Sequence, residues 1–329
     1  MWIDLERIIH SFKTGIACLL GFAIVKALHN YLFFDQWLIV TILVVMCAQI
    51  SVGSILFKSA MRFLGTFLGS LLAAITILSF GDNDLVFAAV IAVASMMFSY
   101  LATAQQSYSD AGTLGAVTTA IILISPTPTL ALTSERFLEI TIGILVATLI
   151  SQFILPIHAR DHLRRSQAQA IHLLGGYYRA VVSEPKLTPE KLSELDNQIV
   201  ESLRTQHKQA IEARRELLGS RFEPRVFQKT MDAEKYILRG ISFLSRVYPD
   251  FVQHLQPENQ EHWRAFNQSM ISVFDNLAKR YGKSAYIAQP IELPALDGLK
   301  TNGGKNSQAA HAVFFCLENI RQQLSELIF

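Results

Sequence analysis

Between residues 14 and 155 the chain is a nearly continuous series of apolar segments. Inside a bilayer no water is available to the backbone, so a spanning segment must satisfy its own N–H and C=O groups, as a helix or in a closed barrel. A spanning helix needs about 20 apolar residues. Six segments approach that length, at 14–34, 37–57, 63–80, 85–104, 111–125 and 137–155. The fifth is short. It is expected to begin earlier, among Gln105–Asp110, or to be tilted or broken, and five spans with one re-entrant segment is the alternative. Charge divides the chain in the same place. Residues 1–157 carry 6 Lys/Arg and 8 Asp/Glu, whereas 158–329 carry 23 and 19. The expected fold is therefore all-α, a six-helix transmembrane unit (1–157) followed by a cytoplasmic helical bundle (158–329).

Lys and Arg near the span ends set the orientation. With the N-terminus inside, Arg7, Lys13, Lys58, Arg62, Arg160, Arg164 and Arg165 are cytoplasmic and only Arg136 is outside. Asp35, Asp82 and Asp84 mark the outer loops, and both termini face the cytoplasm. Leu5, Ile8, Ile9 and Phe12 oppose Asp4, Glu6, Arg7 and Lys13, which predicts a short interfacial helix before the first span. That span is too long for a signal-peptide core and lacks a small-residue cleavage site, so it is expected to be retained. Cys18, Cys47 and Cys316 are far apart, and no disulfide is expected.

Apolar spacing of three or four predicts helices throughout the second half. One helix should continue from the membrane to Val182. Thr188 caps the next, with Pro189 at its first position, and it should run to Leu218 and stop at Gly219. Further helices are expected from Pro224 to Tyr248, from Glu258 to Tyr281 and over 307–328, with 283–306 irregular. Leu192, Leu195, Ile199 and Leu203 form a seam that suits an intramolecular bundle better than an intermolecular coiled coil.

Residues 58–73 carry the most telling pattern. Lys58 and Arg62 enter an apolar helix in which Gly65, Gly69 and Ala73 share one face, a spacing that lets another helix approach closely. Lys26 is the one basic residue deep within a predicted span, with His29 on the same side. It either lines a pathway or snorkels to the outer surface. Lys58 and Arg62 could anchor the cytoplasmic side, or form with Gln49, Ser51 and Ser54 a vestibule that attracts anions. Thr66, Ser99 and Tyr100 are candidate hydrogen-bonding groups of a pathway. Asp110 and Glu139 are candidate proton-coupling groups, although Glu139 with Arg136 also reads as a surface ion pair. His158 and His162 have the spacing of a metal pair without a third ligand, and they read as juxtamembrane polar residues. The glycines near Lys300–Asn306 miss the phosphate-loop spacing. No nucleophile–base arrangement is visible, so no enzyme, metal or cofactor is expected, and no basic block suggests nucleic acid.

Two segments resemble the fusaric acid resistance and aromatic acid exporter family. One is the Arg-x-x-Gly-Thr-x-x-Gly motif formed by Arg62, Gly65, Thr66 and Gly69. The other runs from Glu135 to Pro156, a helix with an internal Gly that ends at a Pro before a basic helix. The resemblance covers residues 1–165, and Lys26 has no counterpart in it. It implies a bacterial inner-membrane exporter of aromatic carboxylates, related to plant aluminium-activated malate transporters. Many members resemble a fused pair of six-helix units. A single unit then implies a homodimer surrounded by membrane lipid, with an organic anion as substrate and export coupled to protons. Two rivals stand beside it: a passive organic-anion channel, and a membrane anchor whose bundle binds a cytoplasmic or envelope partner.

Overall fold

A computed structural model describes residues 5–28, 36–47, 51–183, 188–216, 222–253, 255, 257–282, 291–296 and 307–328. These residues contain eleven α-helices and one short 3₁₀ turn, and no strand. They fall into two units, Met1–Ala159 with Arg215–Leu218, and Arg160–Arg214 with Gly219–Phe329.

The first unit holds α1 (Leu5–Leu28), α2 (Trp37–Cys47), α3 (Val52–Phe80), α4 (Asp84–Ala104), α5 (Ser109–Ile124) and α6 (Leu130–Phe153). By length and composition α1, α3, α4 and α6 could each cross a bilayer. The other two are shorter, and α5 begins at Ser109, within the earlier start expected for the short fifth segment. At 1.5 Å per residue the 16 residues of α5 reach about 24 Å, less than the ~30 Å hydrocarbon layer. The expected span 37–57 is divided, because Ser51 starts a new helix by accepting a hydrogen bond from Ser54 N. Val52–Phe57 thus belong to α3, and Lys58 and Arg62 lie within this 29-residue helix instead of at its mouth. At the N-terminus no separate interfacial helix forms, since α1 is continuous from Leu5.

Helix α5 packs between α3 and α4, α6 packs on α2 and α3, and α1 packs on α2 and α6. Gly65 and Gly69 permit the closest approach. A Cβ on Gly65 would run into the carbonyl oxygen of Ala111, and one on Gly69 would lie 2.5 Å from Gly115 O. Ala73 is buried on the same face. Leu38, Ile42 and Met46 of α2 meet Ile144 and Ile150 of α6 in an apolar core.

Beyond α6 the chain does not continue as one helix. Leu155 has φ 45 and precedes Pro156, which disfavours helical geometry before it, so α7 is a separate helix. The second half comprises α7 (Ala159–Ser183), α8 (Pro189–Arg214), α9 (Pro224–Gln253), α10 (Pro257–Gly282) and α11 (Ser307–Ile328). Helix α8 ends at Arg214, short of Leu218, while α9 passes through Pro249 instead of stopping there. Burial of Tyr248 and Phe251 beside Trp263 outweighs the hydrogen bond that Pro249 removes. The core gathers Ile171, Leu174, Ile237, Met270, Phe274 and Leu317. Ile199 and Leu203 lie within it, and Leu192 and Leu195 pack against it. Residues 291–296 are not helical; the rest of 283–306 lies outside the described residues.

One carboxyl group is buried in this bundle. Glu234 is fully enclosed, and neither its carboxyl oxygens nor the side-chain amide of neighbouring Gln206 has a well-formed hydrogen bond among the described residues. Burial raises its pKa to about 8, with only partial offset from Gln206 and Lys235.

Gly65→Leu should separate α3 from α5 and lower the thermal midpoint in detergent, by the equivalent of about 1–3 kcal/mol. Gly15→Ala, whose Cβ meets nothing within 4 Å, should leave the midpoint unchanged. Glu234→Gln makes a second prediction. The folded chain keeps the Glu234 proton up to about pH 8, whereas an unfolded chain releases it from about 4.5. Wild-type stability should therefore fall across that window, by roughly a kcal/mol per pH unit. The advantage of Glu234→Gln in thermal midpoint should widen over the same window and level off above it; a pH-independent difference would contradict the buried-acid assignment.

Candidate functional site

The close α3–α5 contact places the first turn of α5 beside the first turns of α3. Asp110 there has carboxylate oxygens 3.6 Å from Arg62 and 3.7 Å from Lys58. Two cations share one carboxylate, so the cluster is net positive. Arg62 is buried, while Lys58 and Asp110 are partly exposed. Its neighbour Thr66 is fully buried on α3, and its hydroxyl has no hydrogen-bond partner among the described residues.

Arg62 also lines a cleft bounded by α2, α3, α5 and α6. Its polar lining is Arg62, Arg136, Trp37, Thr41 and Thr118, and the rest is Val, Leu and Ile. Arg136 donates to Glu139 Oε2 at 2.8 Å and lies 5.6 Å from the Trp37 ring centroid. This pair is not the surface ion pair the sequence suggested, because Glu139 is fully buried. The cause is visible one turn further on. Gly143 lies against the Leu38 carbonyl and Thr41, so the face of α6 that carries Glu139 is pressed on α2. A carboxylate in such a place is strongly bound to its partner, and removing the partner alone is costly.

A second charged contact ties helix ends together. Lys13 is fully buried, and its amine donates to Ser151 O at 3.3 Å and Leu155 O at 3.2 Å, the carbonyls at the end of α6. One turn earlier, His10 Nε2 is 2.8 Å from Met46 O, at the end of α2. The amphipathic pattern puts Lys13 on a solvated face. A signal against it was present, since its neighbours one turn away are Ile9, Ile16 and Ala17. At the start of α7, the buried Glu216 carboxylate accepts from Ala159 N at 2.5 Å and lies 3.6 Å from His158. Arg215 covers the Phe57 ring at 3.5 Å. No local pattern announces that contact, because the partners are far apart in sequence.

The other described sequence candidates are not gathered into the cleft. Lys26 lies in the last turn of α1, exposed, 5.8 Å from the Phe22 ring centroid. Ser99 and Tyr100 are exposed on α4. His29, Gln49 and Asp35 lie outside the described residues.

Lys13→Met should remove the partner of the α6 carbonyls and lower the thermal midpoint by the equivalent of about 1–3 kcal/mol. Lys26→Met, made on the same helix, should not. Equal effects of the two would contradict the assigned role of Lys13.

No curated protein matches the chain at a significant level. The sequence model of the fusaric acid resistance protein family matches residues 7–221. That match runs past the end of α8, well beyond the 1–165 over which the motifs show a resemblance. With four helices long and apolar enough to cross a bilayer, the chain is a multi-pass membrane protein, and it belongs to the fusaric acid resistance protein family.

Proposed function

We propose that the chain exports organic anions, aromatic carboxylates foremost, through the cleft that Arg62 and Arg136 line. The observation that carries this reading is that two arginines, from different helices, line one otherwise apolar cleft beside Trp37. A guanidinium matches a carboxylate with two parallel hydrogen bonds, and the indole and aliphatic walls suit a planar ring. Charge within bilayer-spanning helices is expensive and is kept where it serves a function. The word resistance in the family description fits outward movement. An inside-negative potential favours that direction by about 2.3 kcal/mol per charge at 100 mV. The reading places the protein in a bacterial inner membrane with both termini cytoplasmic. It also includes a homodimer, for which the family resemblance is the support, and coupling of export to protons.

Flux of labelled hydroxybenzoate in proteoliposomes tests the proposal, with voltage and pH gradient imposed separately. Arg62→Gln should lower flux about ten- to hundredfold, the loss of one charged hydrogen-bond contact. Lys26→Ala should leave it unchanged. Folded wild-type protein that moves no carboxylate under either gradient would overturn the reading and turn attention to partner binding by the helical bundle.

A further inference from the structure

We propose that Glu139 and the transported anion compete for Arg136, so that protonation of Glu139 and binding of the anion reinforce each other. The inference rests on the cleft being the anion site. Its basis is geometric. Arg136 lines the cleft, yet its guanidinium is held at 2.8 Å by a fully buried carboxylate. A substrate carboxylate needs the same N–H groups. While Glu139 is ionised, an anion reaching Arg136 must displace it or place two carboxylates against one cation. Like charges in a low-dielectric setting oppose each other strongly. A proton on Glu139 leaves a neutral hydrogen-bonding group, and the charge of Arg136 becomes available to the anion.

The surroundings favour Glu139 as the competing acid. Its own helix carries Glu135 and Arg136 within one turn. Helix α2 presents Trp37 and Thr41 to the cleft, neither of which titrates. Helix α3 contributes Arg62, already paired with Asp110 of α5. Helix α1 brings Lys13 against α6, but at its opposite end, at Ser151. Among the described residues Arg136 is a cation in direct contact with Glu139, at 2.8 Å.

The sign of the coupling has a consequence. If a proton helps an anion bind, then by reciprocity the anion helps the proton bind. Through this group the proton accompanies the anion or licenses its entry. An exchange in which inward protons drive anions outward needs competition between the two, which a carboxylate paired with an arginine does not supply.

Binding of labelled benzoate to the purified full-length protein in nanodiscs tests this between about pH 5.5 and about pH 8, where benzoate stays ionised. Wild-type affinity should rise about five- to a hundredfold as pH falls across the range. It should be accompanied by proton uptake in weakly buffered solution. Glu139→Gln should bind tightly at both ends of the range with no proton uptake. The double variant Arg136→Gln/Glu139→Gln, which removes both members of the pair, should bind weakly at both ends. A wild-type affinity independent of pH, or a pH slope that survives Glu139→Gln, would overturn this inference while leaving the anion site standing. Folded proteins that bind no benzoate at any pH would overturn both.

Discussion

The carbonyl groups that end a membrane helix have no water to turn to, and at the end of α6 the ammonium of Lys13 takes its place. Much of the first unit depends on this contact. A buried ammonium is expensive by several kcal/mol, and it is retained only where strong acceptors surround it. The C-terminal end of α6 provides them, with two carbonyl oxygens and the negative end of the helix dipole. Because both sides need each other, the contact fixes α1 against α6. His10, one turn earlier, does the same for the end of α2. One helix therefore sets the depth of two others. The register of α6 in turn decides where Gly143 meets α2 and where Glu139 is buried.

Packing and electrostatics are equally joined on the other side of the unit. Gly65 lets the backbone of α5 come close at Ala111, the residue that follows Asp110. The absence of a side chain at Gly65 thus brings a carboxylate within 3.6 Å of Arg62. A larger residue there would push away the counter-charge as well as the helix. The small-residue motif and the arginine that precedes it act together: the glycines make the approach, and the approach makes a buried arginine tolerable.

Helix class and most helix positions were legible in the sequence, because each rests on a local pattern. Length, apolarity and the small-residue face announce α3. Proline at the first position announces α8 and α9. The errors share a cause, which is that they needed neighbours. The division between α2 and α3 turned on Ser51 acting as a cap inside an apolar run. Pro249 reads as a stop until Tyr248 and Phe251 are seen against Trp263. Lys13 and Glu139 read as surface charges because their partners lie on other helices or depend on which face is pressed inward. Lys26 lies deep in a predicted span, yet it sits exposed in the last turn of α1. Among the described residues, the motif arginine, Arg62, is the predicted pathway cation that reaches the cleft, and its partner there, Arg136, was hidden behind a plausible surface pair.

The two arginines of the cleft are held unequally, and under the proposed function that inequality gives the cleft a direction. Arg62 shares a partly exposed carboxylate with Lys58, at distances longer than a hydrogen bond. An anion meets a net positive charge there and displaces little. Arg136 is held at 2.8 Å by a buried carboxylate and lies near an indole face. An anion gains that cation only when the carboxylate gives it up. Conduction needs sites attractive enough to enter and weak enough to leave. A loosely held arginine followed by a tightly held one meets both needs, since the first gathers the anion and the second, through Glu139, decides when it passes.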